Sequence, residues 1–301
     1  MSLQMSNKEA VLALASALKD FRKDVEVREA LAAKILKFIS DEVEQRDIAS
    51  MLFDPEFVPL GTSAEYALKS RARVYWHEEG TYAPRTQIKQ KVFTVPTSLL
   101  SFNLSYQLAE IETGRVGTIA DNMQLGADEF VGAINARAYN TLLGSIPTTA
   151  KNYATSVAGL TKSALDNAIN YVEDISGGAK MIIGRRNVLS KILDFNSSGT
   201  AELGHYSDKM KDQIMNTGLI TNYRGLPVIG LQQYRDGYGN NTIPDDSVLV
   251  VGKNVGKYVT SEEMKSLQQV DAETLTWLMH QYTRKGFAVF FAERSFRIRI
   301  T

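Results

Sequence analysis

The chain has 301 residues, no cysteine and a balanced charge, with 34 Lys and Arg against 34 Asp and Glu. Without cysteine, disulfides, thiolate metal sites and cysteine nucleophiles are excluded. The balanced charge gives the chain as a whole no electrostatic preference for nucleic acid or for a membrane surface. No apolar run approaches the roughly 18 residues of a membrane span, and the first residues lack the pattern of a signal peptide, so neither is expected.

Two amphipathic helices are predicted before Pro55. The first begins with a capping box, in which Ser6 and Glu9 can each bond the other's backbone N–H. The second is predicted from Asp24 to Leu52, because apolar side chains recur every three or four residues until Pro55 ends the pattern. The apolar stripes need a partner surface, which is either the body of the same chain or a neighbouring subunit or internal partner. The sequence leaves both alternatives open.

A long, polar β-ribbon is predicted between Ala64 and Tyr106. Polar and apolar side chains alternate up to Trp76, the chain turns over residues 78–84, and a second strand returns to Val95. A lone two-stranded hairpin is marginal in water, because its thin apolar stripe cannot offset the entropy of ordering it. We therefore expect contacts outside its own subunit to stabilise the ribbon, and this indicates assembly rather than catalysis.

The candidate residues for contacts between subunits lie along this ribbon. They are Arg71, Arg73, Val74, Trp76, Glu78, Glu79, Arg85, Ile88, Lys89 and Lys91. Basic side chains outnumber acidic ones in this segment. We interpret this bias as pairing with acidic groups of a neighbouring subunit rather than as a grip on nucleic acid.

A single long helix is predicted from about Val116 to Ser145, and Pro147 ends it. Its apolar side chains recur with helical periodicity. At 1.5 Å per residue, a helix of this length spans roughly 40–45 Å. It is predicted to form a spine across one domain.

An α/β region is predicted after this spine helix. Thr161 and Ser207 are the expected N-caps of two helices, and residues 187–195 are predicted as another helix. Short buried strands are predicted at residues 180–184 and 248–251, with a hairpin between them.

Two long strands are predicted to close the chain. They run from Thr274 to Tyr282 and from Phe287 to Ile300, and a turn at residues 283–286 joins them. A strand that reaches the last residues is expected to be held in a sheet.

The sequence offers little catalytic chemistry. The histidines, His77, His205 and His280, lie in different segments and match no metal-binding spacing. Residues 252–258 follow a strand and superficially resemble a phosphate loop. That loop needs four residues between its glycines and Ser or Thr after its lysine, whereas this segment has three residues and then Tyr258.

Adjacent carboxylates at residues 78–79, 245–246 and 262–263 are interpreted as exposed loop charges rather than as an acid–base pair. No catalytic residue, metal site or cofactor is therefore expected. The chain is predicted not to be an enzyme.

The order of the predicted elements resembles the major capsid proteins of tailed bacteriophages, which have the Hong Kong 97-type fold. The likeness covers about residues 57–301. The stretches that carry it are Val92 to Pro96, Phe102 to Tyr106, the spine residues 127–144, Leu226 to Ile229, Val248 to Gly252, Gly256 to Val259 and Phe287 to Glu293. The first 55 residues are too short for the large N-terminal scaffold domain of some members, which implies a separate scaffolding protein or an ordered arm.

The resemblance implies an α+β, Hong Kong 97-like capsid fold in five parts. They are an N-terminal helical arm (1–56), an extended β-hairpin loop (57–96), a peripheral domain with the spine helix (97–147), an α/β axial domain (148–254) and the C-terminal strands of the peripheral domain (255–301).

The resemblance also implies a function and partners. Copies of the chain would assemble as pentamers and hexamers into an icosahedral shell that encloses phage double-stranded DNA, bound without sequence preference. Scaffolding, portal and decoration proteins are further partners, whereas a membrane is not. Assembly is expected in the host bacterial cytoplasm, and the mature location is the virion capsid.

Two alternatives remain open from the sequence. An encapsulin-type shell of a cellular nanocompartment resembles the same fold but holds protein cargo, which the N-terminal helices would dock. An enzyme or small-ligand protein built on the α/β region would instead be a monomer or a small oligomer.

Overall fold

A computed structural model describes residues 25–62, 64–69, 90–109, 116–196, 221–271 and 273–301. The predicted helices capped by Ser6 and Ser207 lie outside these residues, as does most of the predicted ribbon.

The α-helices have the following bounds: α1 (Val25–Arg46), α2 (Ala49–Leu52), α3 (Val116–Gly144), α4 (Lys162–Ser176) and α5 (Arg186–Leu189). Short 3-10 helices cover Ser190–Asn196 and Ala292–Arg294. The predicted spine helix is confirmed as α3.

The strands have the following bounds: β1 (Asp54–Phe57), β2 (Glu65–Lys69), β3 (Gln90–Thr94), β4 (Ser98–Gln107), β5 (Tyr153–Ser156), β6 (Ala179–Arg185), β7 (Asn222–Tyr223), β8 (Leu226–Leu231), β9 (Ser247–Gly252), β10 (Gly256–Asp271), β11 (Thr276–Val289) and β12 (Ser295–Ile300). They form a four-stranded sheet in the order β1-β10-β11-β4, a six-stranded sheet in the order β5-β12-β9-β6-β8-β7, and the pair β2-β3. Helices and mixed sheets confirm the predicted α+β class.

The spine helix α3 organises the main core. Its buried side chains Phe130, Ile134 and Leu142 belong to one apolar cluster with Ile35 and Ile39 of α1. The same cluster takes in side chains from both larger sheets. Helix α1 therefore packs on the body of its own chain. For this part of the N-terminal region, the structure favours that alternative over packing on a neighbouring subunit or an internal partner.

The predicted helix from Asp24 to Leu52 is wrong in one respect, because it is interrupted after Arg46. The side chain of Asn135 on the spine helix accepts a hydrogen bond from the Ile48 N–H (2.9 Å) and donates one to the Arg46 carbonyl (3.1 Å). These bonds hold the backbone open between α1 and α2. Sequence periodicity does not detect the break, because the side chain responsible comes from a distant segment.

We expect Asn135→Ala to lower the free energy of unfolding by about 2–3 kcal/mol, because two backbone groups lose their partners. Urea denaturation followed by circular dichroism measures this change. Gln124→Ala is the matched control, since Gln124 lies on the same helix and only bonds the exposed Asp128. A loss no larger than that of the control would contradict the assigned role of Asn135.

The predicted turn at residues 283–286 is also wrong, because β11 runs straight through it. Thr283 is buried there and its hydroxyl donates to the Glu262 carbonyl (2.8 Å). The ammonium group of Lys285 lies 4.8 Å from the ring centroid of Tyr258 and donates to its hydroxyl. Thr283 and Lys285 are accommodated in a strand because the neighbouring strand β10 provides an acceptor for each of their side chains.

The real reversal lies between β10 and β11. The carboxylate of Asp271 accepts hydrogen bonds from the Glu273 N–H (2.9 Å) and the Thr274 hydroxyl (2.8 Å), and Leu275 has a positive φ of 50°. β11 pairs antiparallel with β10 on one side and with β4 on the other. The closing hairpin is therefore β10–β11, and its first strand was not predicted at its full length.

The predicted α/β region is built around the six-stranded sheet. Helix α4 begins as predicted, because the Thr161 side chain accepts a hydrogen bond from the Ala164 N–H (3.3 Å). Its side chains Leu165, Ile169 and Val172 are fully buried in a second apolar cluster with side chains of the sheet.

The predicted helix over residues 187–195 is one α-helical turn followed by a 3-10 helix. Asn187 accepts a hydrogen bond from the Val188 N–H through its side chain, and the Ser190 hydroxyl donates to the Asn187 carbonyl. These local bonds compete with a regular α-helical ladder.

The last strand, β12, lies inside the six-stranded sheet between β5 and β9. Phe296 and Ile298 are buried in the second cluster, whereas Arg299 faces outwards and pairs with Asp246 (3.0 Å). The prediction that a sheet holds the end of the chain is confirmed.

Buried tyrosines give the fold a predicted sensitivity to alkaline pH. Burial raises the pKa of Tyr106 and Tyr223 to about 12, and it also raises the pKa of Tyr139, whose hydroxyl donates to the Ser247 carbonyl (2.8 Å). An unfolded tyrosine titrates near pH 10, so the folded chain binds more protons above that pH. Its free energy of unfolding therefore falls as the pH rises from about 10 towards 12.

We expect the urea midpoint to fall steadily above pH 10. Tyr139→Phe should flatten this decline, whereas the control variant Tyr238→Phe, at an exposed tyrosine, should not. Lys285 acts in the opposite sense, because burial lowers its pKa and its contribution to stability rises with pH below 10.5. A midpoint that does not change up to pH 11.5 would refute the dominant role of the tyrosines.

Candidate assembly surface

The structure describes only one of the ten candidate contact residues. Lys91 lies on β3, is exposed, and places its ammonium group 4.6 Å from the ring centroid of Phe93. The others lie outside the described residues, namely Arg71, Arg73, Val74, Trp76, Glu78, Glu79, Arg85, Ile88 and Lys89. Their contacts between subunits stay a prediction.

The root of the ribbon is a regular antiparallel pair of strands. β2 and β3 are in register from Glu65 opposite Thr94 to Lys69 opposite Gln90. The Val95 N–H donates to the Ala64 carbonyl (2.9 Å) and continues the pairing towards the body. The two strands thus leave the body side by side, as the alternating sequence predicted.

An aromatic cluster anchors this root to the end of β11. The rings of Tyr66 and Phe93 lie 5.2 and 6.0 Å from the ring of Phe290, measured between centroids. Ala64 and Val95 are buried in the same small apolar cluster. Burial and the Glu56 carboxylate raise the pKa of Tyr66 to about 12.

Within the described part of the chain, one side of the root is covered and the other is exposed. On β3, Lys91 and Val92 are exposed, and only the Phe93 side chain is partly buried. The root is therefore fixed in direction by its aromatic anchor while its other face stays available for contacts.

The described residues do not group their titratable side chains into a metal site. Within them, no group of three or more His, Asp or Glu side chains is placed to hold a metal ion. His280 lies on β11 and its Nδ1 bonds the Asn103 side chain on β4. His77 and His205 lie outside the described residues.

The segment that superficially resembles a phosphate loop joins the two larger sheets. A Cβ atom at Gly252 would lie 2.5 Å from the Arg294 carbonyl oxygen, and one at Gly256 would lie 2.0 Å from the Ala288 carbonyl oxygen. Both glycines are therefore required by the close approach of neighbouring backbone. Their spacing reflects packing and not phosphate binding.

Among the described pairs, the interpretation of the adjacent carboxylates as exposed loop charges is wrong only for residues 262–263, since Asp245 and Asp246 lie in a turn and are at least partly exposed. Asp245 pairs with Arg185 (2.5 Å) and Asp246 pairs with Arg299 (3.0 Å), so both fasten loops to the six-stranded sheet. Glu262 and Glu263 lie within strand β10, where Glu262 pairs with Lys265 (2.9 Å).

No helix in the described part of the chain is both long and apolar enough to cross a membrane.

A family model described as "SPbeta prophage-derived putative capsid protein YonB" matches residues 16–290. The chain belongs to this family of capsid proteins. The match begins well before residue 57, where the likeness in the sequence began, so it includes helix α1. No curated protein is significantly similar to the chain in sequence.

Solved capsid structures share the fold of this capsid protein. A protein of Mycobacterium phage Ogopogo matches with a TM-score of 0.63 and 11% identity, over 85% of this chain and 92% of that one. The mature capsid of bacteriophage PhiM1 matches with a TM-score of 0.61 and 11% identity, over 85% of this chain and 87% of that one. The capsid of a native GTA particle matches with a TM-score of 0.61 and 13% identity, over 85% of this chain and 90% of that one.

These likenesses confirm the predicted Hong Kong 97-like fold. Together with the family match, they favour a structural capsid subunit over the encapsulin-type alternative. The family implies a structural role rather than catalysis.

Proposed function

We propose that this capsid protein is the major subunit of a tailed-phage shell and that its copies assemble as pentamers and hexamers into an icosahedral particle around double-stranded DNA. The match of the capsid family over residues 16–290 carries this proposal. The fold supports it, since solved phage capsid proteins share this order of helices and sheets over most of their length.

The proposed division of the chain into domains follows the five parts expected from the sequence. The arm is residues 1–56, the extended loop 57–96, the peripheral domain 97–147 with 255–301, and the axial domain 148–254. The position of β12 inside the six-stranded sheet supports adding residues 295–301 to the axial part. The packing of α1 on the spine helix supports treating the described part of the arm as a fixed element of the peripheral domain.

The proposed partners are first of all other copies of the chain, and then packaged DNA. DNA contact would be independent of sequence and sensitive to salt, because a chain of balanced charge can line DNA without holding it strongly. Scaffolding, portal and decoration proteins are proposed as further partners. Assembly in the cytoplasm of a bacterial host is also part of the proposal.

The contents of purified particles test this function. We expect particles that contain nuclease-protected double-stranded DNA when the chain is isolated from infected or induced cells. Particles filled with a single protein species and lacking nucleic acid would instead support the nanocompartment alternative. A chain that elutes as a monomer from size-exclusion chromatography under all conditions would contradict both.

A further inference from the structure

The outer edge of β10 is left open over its distal half. Strand β1 pairs with β10 from Lys257 to Thr260 only, whereas the opposite edge of β10 pairs with β11 as far as Asp271. Among the described residues, no strand covers the outer edge between Glu262 and Asp271. Its unpaired backbone N–H and C=O groups can therefore accept another strand.

This edge lacks the usual features that prevent strand addition. The register irregularities of β10 lie between Thr260 and Lys265, so the pairing with β11 is regular beyond them. The residues Ser266 to Val270 carry no charge and include no proline. Natural sheets usually protect long regular edges with charges, prolines or bulges, so an edge without them points to a partner.

Exposure of the same segment also indicates a missing partner. Leu267 to Val270 are four consecutive exposed residues, with Leu267 at 59% and Val270 at 37%. Leu278 lies opposite Gln269 on β11 and is also exposed, which extends the apolar area beside Leu267. A strand that is exposed on both faces and along one edge gains little stabilisation from contacts within its own subunit.

The charges at the two ends of the segment are complementary to those of a second copy of the same segment. If two such edges pair antiparallel about a two-fold axis at Gln268, Lys265 of each copy lies opposite Asp271 of the other. Opposite charges across an antiparallel pair are favourable, whereas like charges are not. Moving the axis to Leu267 would place Glu263 opposite Asp271, so the charges favour the axis at Gln268 over that register.

We propose that the distal edge of β10, from Lys265 to Asp271, pairs antiparallel with the same edge of a second copy of this chain. This inference rests on the proposed function, because the second copy is a subunit of the same shell. The contact is isologous, so each such pair has two-fold symmetry. Backbone hydrogen bonds provide its geometry. Lys265 exchanges its exposed contact with Glu262 (2.9 Å) for Asp271 of the other copy, and these pairs favour the register.

Hydrogen exchange on the unmodified chain gives the first test. In the free subunit, the outward amides of residues 266–270 should exchange rapidly, and in assembled particles they should exchange at least ~10-fold more slowly. Particles in which these amides stay unprotected would overturn the proposal.

A cysteine variant identifies the partner, and the chain has no native cysteine to interfere. At the two-fold axis, Gln268→Cys would face its own copy at about the 4.5–5.5 Å Cβ separation of a directly opposite pair, close to what a disulfide requires. We expect most subunits of oxidised particles to migrate as covalent dimers on non-reducing gels. Gln232→Cys, at an exposed residue after β8, is the matched control and should stay monomeric.

The remaining outcomes separate this inference from the proposed function. Protected amides without a Gln268 crosslink would mean that another segment or protein covers the edge, which overturns the pairing of copies. Unmodified chain that sediments only as a monomer would contradict the proposed function and the pairing together. Particles with DNA but with an unprotected edge would leave the function intact and refute only the pairing.

Discussion

Deletion of Tyr75 to Arg85 is expected to leave the subunit folded and to abolish closed shells. The deleted residues lie beyond the root of the ribbon, where β2 and β3 are paired and Phe290 anchors them. Because the paired strands β2 and β3 and their anchor on Phe290 lie outside the deletion, we expect it to change the melting temperature by no more than about 2 °C.

The measurement combines unfolding of the purified subunit with electron microscopy of its assemblies. A scrambled variant with the same composition over residues 75–85 is the control, since it separates the length of the ribbon from its specific side chains. If the ribbon clasps a neighbour through defined contacts, both variants should fail to form closed shells. Normal particles from the deletion would show that the ribbon is dispensable for assembly.

Gly256→Ala is expected to destabilise the subunit by at least about 3 kcal/mol, in the range of severe steric and backbone substitutions. An added Cβ would lie 2.0 Å from the Ala288 carbonyl oxygen, which belongs to the paired strand and cannot rotate away. The substitution would therefore separate β10 from β11 at the point where the chain passes between the two larger sheets. Urea denaturation and the yield of soluble subunit measure the effect.

Gly144→Ala is the matched control for this prediction. Gly144 ends the spine helix, and an added Cβ there would meet no atom within 4 Å. Alanine at such a position stabilises a helix by roughly 0.5–1 kcal/mol. Equal effects of the two substitutions would contradict the steric role of Gly256.

The sequence predicted the elements whose signals are local. Thr161 caps α4 as expected, and the apolar periodicity after Val116 predicted the spine helix to within one residue of its C-terminus. The buried strands around Ile183 and Val250 were recognisable because short runs of β-branched residues favour a covered strand.

The wrong predictions share a physical cause, which is control by distant residues. The break after Arg46 depends on Asn135, and the continuous strand through Lys285 depends on Tyr258. The distal half of β10 was not recognised because its residues are polar and exposed, so no buried stripe marks it. Such features follow from the packed sheet and not from local preference.

The candidate contact residues show a different limit on what the sequence can predict. The alternating pattern predicted the paired root correctly, but which residues touch a neighbour depends on a second copy of the chain. Lys91 is exposed at the root, which is compatible with such a contact and does not establish it. The roles of the remaining candidates therefore stay predictions that the ribbon deletion tests.

A cryo-electron microscopy reconstruction of the purified assembly tests the central claim most directly. We expect a closed icosahedral shell, built from pentamers and hexamers of this chain, in which each ribbon lies on a neighbouring subunit. An assembly without closed icosahedral symmetry, or a homogeneous monomer with no particles, would contradict it.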